Sequence, residues 1–255
     1  MSIIKTRIPT KQGEIAAVIN HAKGSSNKLA ILCSGFLDSK DYKHLEGLAK
    51  VLSERGYDVV RFDTIGIWES DGDISEYMMT QYLKDIESVI DFMTSQKSYE
   101  KILLGGHSRG GQHSLLYAAK SPKINLVLAI MPSSGPITGK RREEWEHSGL
   151  SVSQRDLPDH PNQKKEFRVP FTNVLDRDQY DAIGDMKKIQ VPVILVAGGI
   201  DDIVPAEGVE KLFENANEPK KFILIPGIGH DYRFNPEEVV LVNERISEQL
   251  DSFGF

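Results

Sequence analysis

Between residues 29 and 250, short apolar runs alternate with stretches of helical spacing, and this alternation restricts the fold more than any other feature. The runs fall at 29–33, 59–62, 102–104, 126–131, 193–197 and 222–225, and helical periodicity occupies 42–55, 80–93, 111–119, 206–215 and 236–250. Strands so short and so uniformly apolar are buried on both faces, and amphipathic helices between them supply the covering layers. The pattern predicts an α/β fold, a mostly parallel central sheet with helices on both faces. Within 42–55, Leu45, Leu48, Ala49 and Leu52 share one face, and Gly56 stands where a helix C-terminal glycine belongs. Ahead of the alternation, 3–8 and 15–19 read as a β-hairpin around Pro9-Thr10-Lys11-Gln12-Gly13.

One segment breaks the rhythm. From Pro132 to about Asp178 the chain is charged and proline-rich, with Lys140-Arg141-Arg142-Glu143-Glu144-Trp145 and Pro158-Asp159-His160-Pro161, and it has little apolar periodicity before 167–175. Such a length exceeds an ordinary connection between elements. The expectation is a single domain, 1–255, with a small cap inserted at about 133–180.

The net charge of −6 argues against nucleic acid or an anionic membrane surface as partner. No apolar stretch approaches the roughly 20 residues of a membrane span. The opening Met1-Ser2-Ile3-Ile4-Lys5-Thr6-Arg7 lacks the apolar region of a secretory leader, and the single cysteine, Cys33, excludes an internal disulfide framework. The expected location is the cytoplasm.

Gly106-His107-Ser108-Arg109-Gly110 lies between the run 102–104 and the helical stretch that follows, where a Gly-x-Ser-x-Gly sequence describes a nucleophile elbow. The serine of such an elbow sits in a strained turn that lifts its hydroxyl above the sheet edge. Side chains two residues to either side would collide with the neighbouring strand and helix, hence Gly106 and Gly110.

A serine nucleophile needs a base to take its proton and an acid to orient that base. His21, His44, His147 and His160 lie in polar surroundings and read as surface residues, while His107 packs sideways beside the serine and His113 sits one turn into the next helix. His230 differs: it ends Pro226-Gly227-Ile228-Gly229-His230, a glycine loop just past an apolar run, at the carboxyl edge where open α/β sheets hold their ligands. The loop after 193–197 offers two acids, Asp201 and Asp202. Asp201 stands nearer the strand end, with Gly198 and Gly199 giving the turn room, and Asp202 reads equally as a solvated loop residue or a helix cap. For a developing oxyanion, the backbone N–H groups of Arg109 and Phe36 are the candidate donors, Gly35 allowing the Ser34-Gly35-Phe36 loop to approach the substrate.

With these pieces assembled, the chain resembles the α/β-hydrolase superfamily, serine-hydrolase branch, over nearly its whole length. The resemblance rests on Ser34-Gly35-Phe36, on Arg61-Phe62-Asp63 with Gly66 and Glu69-Ser70-Asp71-Gly72, on the elbow, on Gly199-Ile200-Asp201 with Val204-Pro205, and on Pro226-Gly227-Ile228-Gly229-His230. The order Ser108, Asp201, His230 is that superfamily's order and differs from those of chymotrypsin and subtilisin. Bacterial carboxylesterases and cinnamoyl or feruloyl esterases are similar and carry a small cap in the region of 133–180. The resemblance implies hydrolysis of a small-molecule carboxylic ester through an acyl-enzyme, with no cofactor and no metal, and a structural role for Asp63 in holding neighbouring loops. Many relatives have His-Gly where this chain has Ser34-Gly35, so hydrogen bonding in that loop departs from theirs.

Three rivals accompany this reading: amide cleavage, which in the superfamily usually goes with a large propeller or helical cap; thioester cleavage by the same chemistry; and non-catalytic ligand binding, which often goes with loss of a triad member. Phe36, Trp68, Trp145 and Phe171 are candidates for a substrate pocket or for core. Cys33 reads as buried packing. The aspartates 71, 73, 176, 178 and 181 lack the His or Cys spacing of a metal site, and Lys140-Arg141-Arg142 reads as a solvated surface of the cap rather than an anchor for an acidic substrate.

Overall fold

Alternate residues of each central strand feed two separate cores, one on either side of the sheet. The computed structural model describes residues 2–255. The chain opens with the hairpin β1 (Ile3–Thr10) and β2 (Gly13–Asn20), then runs β3 (Lys28–Cys33), α1 (Lys43–Glu54), β4 (Tyr57–Phe62), α2 (Met79–Gln96), β5 (Lys101–His107), α3 (Arg109–Ala118) and β6 (Leu126–Ile130). An inserted segment follows, with α4 (Gly139–Ser148), β7 (Leu150–Leu157), β8 (His160–Pro170) and α5 (Thr172–Arg177). The alternation resumes with α6 (Ala182–Asp185), β9 (Val193–Gly198), α7 (Ala206–Asn215), β10 (Lys220–Ile225) and α8 (Pro236–Ser252).

Eight strands form one sheet in the order β1-β2-β4-β3-β5-β6-β9-β10, antiparallel at the β1-β2-β4 end and parallel from β4 to β10. Leu29, Ile31 and Cys33 face the core covered by α2, α3 and α7, whereas Ala30 and Leu32 face the core covered by α1 and α8. The apolar faces of α1 (Leu45, Leu48, Ala49, Leu52) and α8 (Val239, Val242, Ile246, Leu250) meet in that second core. Burial on both faces is why these strands read as predominantly apolar runs. The strand order reverses at β3: the chain steps to β4 on one side, then returns to β5 on the other. That reversal opens a crevice at the carboxyl ends of β3 and β5.

The inserted segment carries more regular structure than its sequence announces. β7 and β8 pair as an antiparallel hairpin from Leu150↔Pro170 to Leu157↔His160, turning at Pro158-Asp159. A third core joins Trp145, Phe167, Val169 and Val174 of the insertion to Leu37, Ile67 and Tyr77 of the body, and the Trp145 indole donates to the Val169 carbonyl at 2.9 Å. No helix among the described residues is long and apolar enough to cross a membrane.

Candidate active site

Ser108 is the single residue between β5 and α3, and its backbone lies at φ 55°, ψ −119°. A non-glycine residue pays for such a conformation unless its surroundings over-determine it. They do so here. A Cβ on Gly106 would stand 2.5 Å from the Cys33 carbonyl oxygen, and one on Gly110 would run into the same carbonyl. Only bare backbone lets β5 and α3 close on the end of β3. Cys33 itself is buried, and burial pushes its thiol up to about 12, which keeps it protonated and inert.

The structure brings Ser108, His230 and Asp201 together. His230 Nε2 lies 2.9 Å from Ser108 Oγ, and His230 Nδ1 lies 2.7 Å from Asp201 Oδ2. The other Asp201 oxygen accepts the backbone N–H groups of Ile203 at 2.9 Å and Val204 at 2.7 Å. Burial pushes the Asp201 carboxyl up, but the bond to His230 and these N–H donors outweigh it and hold the group below the usual carboxylate range. Asp202 is exposed and outside this network. Close approach of the loops after β9 and β10 makes the arrangement possible: a Cβ on Gly198 would fall 2.5 Å from the Ile228 carbonyl oxygen.

The loop after β3 is fastened at nearly every residue. The Tyr82 hydroxyl donates to the Ser34 carbonyl at 3.0 Å, the Leu37 N–H donates to the Tyr77 hydroxyl at 2.9 Å, and the Trp68 indole donates to the Leu37 carbonyl at 3.0 Å. From β7, Arg155 donates through Nε (3.3 Å) and Nη2 (3.1 Å) to the Phe36 carbonyl. Tyrosine and tryptophan thus hold a loop in which Ser34 stands in place of histidine. A Cβ on Gly35 would lie 3.5 Å from that of Ser108, so the loop backbone runs beside the serine. Among the described residues, the N–H groups of Phe36 and Arg109 have no acceptor within the chain, as an oxyanion site requires. Beneath the loop, Asp63 accepts from the Lys40 N–H at 2.8 Å and from its ammonium at 3.0 Å, tying two loops together.

One expectation needs correction. His44 is buried rather than superficial, because α1 turns it inward against Tyr42, His107 and Tyr232. Its polar sequence neighbours concealed this. Of the four aromatics open to a pocket or a core role, Phe36 lines the cavity around Ser108, while Trp145, Trp68 and Phe171 belong to or pack against the third core.

Behind His230, the ring of His107 lies 4.6 Å away, and His107 Nδ1 is 3.9 Å from Asp38 Oδ2, too far for a hydrogen bond. Burial lowers the pKa of both His44 and His107, leaving them neutral, while the Asp38 carboxyl, pushed up by burial, is brought below the usual carboxylate range by its neighbours, the Arg155 guanidinium among them. Asp38, His44 and His107 are the one grouping among the described residues whose donor atoms could hold a cation, lying within 4.8 Å of one another.

The cavity occupies about 720 Å³ and is walled by the loop after β3, the loop 133–138, β7 and the loops that carry Asp201 and His230. A serine at a strand-to-helix elbow, joined by an imidazole and a carboxylate from the loops after later parallel strands, defines an α/β-hydrolase. The chain belongs to the Hydrolase_4 family of hydrolases, serine aminopeptidase S33, whose sequence model matches residues 24–182.

Curated relatives include an uncharacterised Mycobacterium tuberculosis protein, 27% identical over 83% of this chain, and an acyl transferase of Photobacterium phosphoreum, 26% identical over 80% of this chain and 68% of its own. The chain spans 66% of the length of the mycobacterial relative. The mitochondrial palmitoyl-protein thioesterase ABHD10 of Mus musculus is 25% identical over 69% of this chain and 59% of its own. In structure, Est1E of Butyrivibrio proteoclasticus with bound ferulic acid shares the fold with a TM-score of 0.79 at 22% identity, covering 97% of this chain and 98% of its own.

Proposed function

We propose that the protein hydrolyses carboxylic esters through an acyl-enzyme formed on Ser108. The reading rests on one observation, the unbroken line of hydrogen-bond contacts from Ser108 Oγ through His230 to Asp201. In this reading His230 Nε2 takes the hydroxyl proton as Oγ attacks the ester carbonyl. Asp201 holds Nδ1–H and so fixes the tautomer that leaves Nε2 free to accept. The N–H groups of Phe36 and Arg109 receive the negative charge on the former carbonyl oxygen. Collapse expels the alcohol, which leaves with the proton from His230. Water then attacks the acyl-enzyme with His230 again as base, freeing the acid and regenerating the serine. No step calls for a cofactor. We read 133–180 as a cap on a single domain, because its residues help to wall the cavity that Ser108 lines.

Thioester cleavage is the second reading, favoured by the palmitoyl-protein thioesterase among the relatives. The test is a panel of 4-nitrophenyl acyl esters of increasing length, aryl esters, acyl thioesters and peptidyl amides, assayed with wild type and Ser108→Ala. Ester turnover lost in Ser108→Ala is expected. Turnover of thioesters or amides alone, or ester turnover equal in both proteins, would overturn the proposal.

A further inference from the structure

The chain carries a net charge of −6, yet the cavity around Ser108 is lined by six cations, five arginines and Lys164, and only three carboxylates, Asp38, Asp156 and Asp231. All three carboxylates are already engaged. Asp156 accepts from both terminal guanidinium nitrogens of Arg233, at 2.8 and 2.7 Å, and Asp38 faces Arg155 at 3.8 Å. Asp231 lies 3.8 Å from Arg233 as well. What remains is a positive group on the side of the loop 133–138, made of Arg109, Arg141 and Arg177, with no carboxylate in ion-pair distance of any of them among the described residues.

Two of the three are buried. Arg177 is 9% exposed, and its Nε and Nη2 are spent on the Gly135 carbonyl at 3.1 and 2.7 Å, which leaves Nη1 free. Arg109 is 3% exposed; it stacks 4.2 Å over Phe36 and donates to the Asn173 amide oxygen at 3.1 Å, while its Nε has no partner. Nearby acids are bound elsewhere: Asp178 to Arg142 at 2.8 Å, and Asp176 to the Thr80 N–H at 2.9 Å and its hydroxyl at 2.5 Å. Burial first, then the charges of Arg109 and Arg141, push the Arg177 guanidinium down to about 9. Buried guanidinium groups are ordinarily paired, and a cluster left without counter-charge beside a nucleophile suits an anionic ligand group. A cationic cleft in an acidic molecule also concentrates anions from solution.

Resting on the esterase reading, we infer that the substrate is an ester bearing a carboxylate, received by Arg141 and Arg177 on the loop 133–138 side of the cavity, with Arg109 adding to the positive field. The surface role expected for Arg141 from sequence is then replaced by recognition of substrate. Lys164, exposed on β8 without an ion-pair partner, extends the same field toward the mouth.

The experiment compares esters that differ only in charge. Mono(4-nitrophenyl) adipate is set against its methyl ester for an acyl-side charge, and 4-acetoxybenzoate against methyl 4-acetoxybenzoate for an alcohol-side charge. In one arm or the other, kcat/KM for the anion should exceed that for the neutral partner by about tenfold at low salt, and the ratio should fall as sodium chloride is raised. Arg177→Gln and Arg141→Gln should each reduce the ratio severalfold or more. Arg141 is exposed, so its variant tests the site even where Arg177→Gln fails to fold. Neutral esters turned over as fast as anionic ones in both arms, with a ratio unmoved by Arg141→Gln, would overturn the inference and leave ester hydrolysis standing. Should no ester be turned over, the esterase reading fails, and adipate binding by calorimetry decides the anion site. Binding to wild type that is weakened in Arg141→Gln upholds the site, and no binding to wild type refutes it.

Discussion

At the residue scale, the two oxygens of Asp201 divide the labour of positioning. One meets the imidazole of His230, and the other is fixed by two consecutive backbone N–H groups, so the carboxylate cannot turn away from the ring. Asp201→Asn keeps the shape but presents a donor to Nδ1 and favours the wrong tautomer. It should lower kcat by about 10³–10⁴, while Asp202→Asn should stay within a few-fold of wild type in the same steady-state ester assay. The opposite ranking would assign the acid to Asp202. Ser108, Asp201 and His230 were legible because each lies at the end of an apolar run, where glycine marks a turn. The choice between the two aspartates was weaker in the sequence, since adjacent loop residues point in different directions and residue type alone does not say which one faces His230.

At the element scale, the inserted hairpin reaches back to the loop after β3. Arg155 of β7 holds the Phe36 carbonyl, and the N–H of that residue is the proposed oxyanion donor. Releasing the carbonyl should let the Phe36–Leu37 peptide turn and, through the shared Phe36 Cα, misplace the N–H of the adjoining Gly35–Phe36 peptide. Arg155→Met is therefore expected to lower kcat by about tenfold, less than outright loss of an oxyanion donor, with a thermal midpoint close to wild type. An unchanged kcat would show that the loop keeps its shape through Tyr77, Tyr82 and Trp68 alone. The hairpin was the least legible part of the fold. Its strands are only half-buried and carry Gln154, Arg155 and Asp156 opposite Lys164, Lys165 and Glu166, so neither apolar alternation nor an unbroken run marks them. The central strands were legible for the converse reason: burial on both faces favours apolar residues along most of their length, Asp58 and Arg61 of β4 being buried exceptions.

At the scale of the whole molecule, the sheet converts sequence distance into contact, because residues 36, 108, 201 and 230 all follow carboxyl ends of parallel strands. Packing behind that edge has a consequence for stability. His44, His107 and His113 are buried, and burial lowers the pKa of each. In the folded protein they stay neutral, whereas the unfolded chain protonates them around pH 6.5. The unfolded state therefore binds more protons below neutrality, and stability falls as pH drops from 7 to 6. Asp63, raised to about 6 by burial despite Lys40, opposes this, since its folded form takes a proton before the unfolded one does. The net loss should be on the order of 1–2 kcal/mol, read from urea unfolding at the two pH values; an unchanged urea midpoint would contradict it. The central claim, that distant side chains meet to make one nucleophile, is tested most directly by brief reaction with a fluorophosphonate followed by peptide mass spectrometry. We predict a single adduct on Ser108, absent in Ser108→Ala and formed far more slowly in His230→Ala; an adduct elsewhere, or one formed equally fast without His230, would contradict the account.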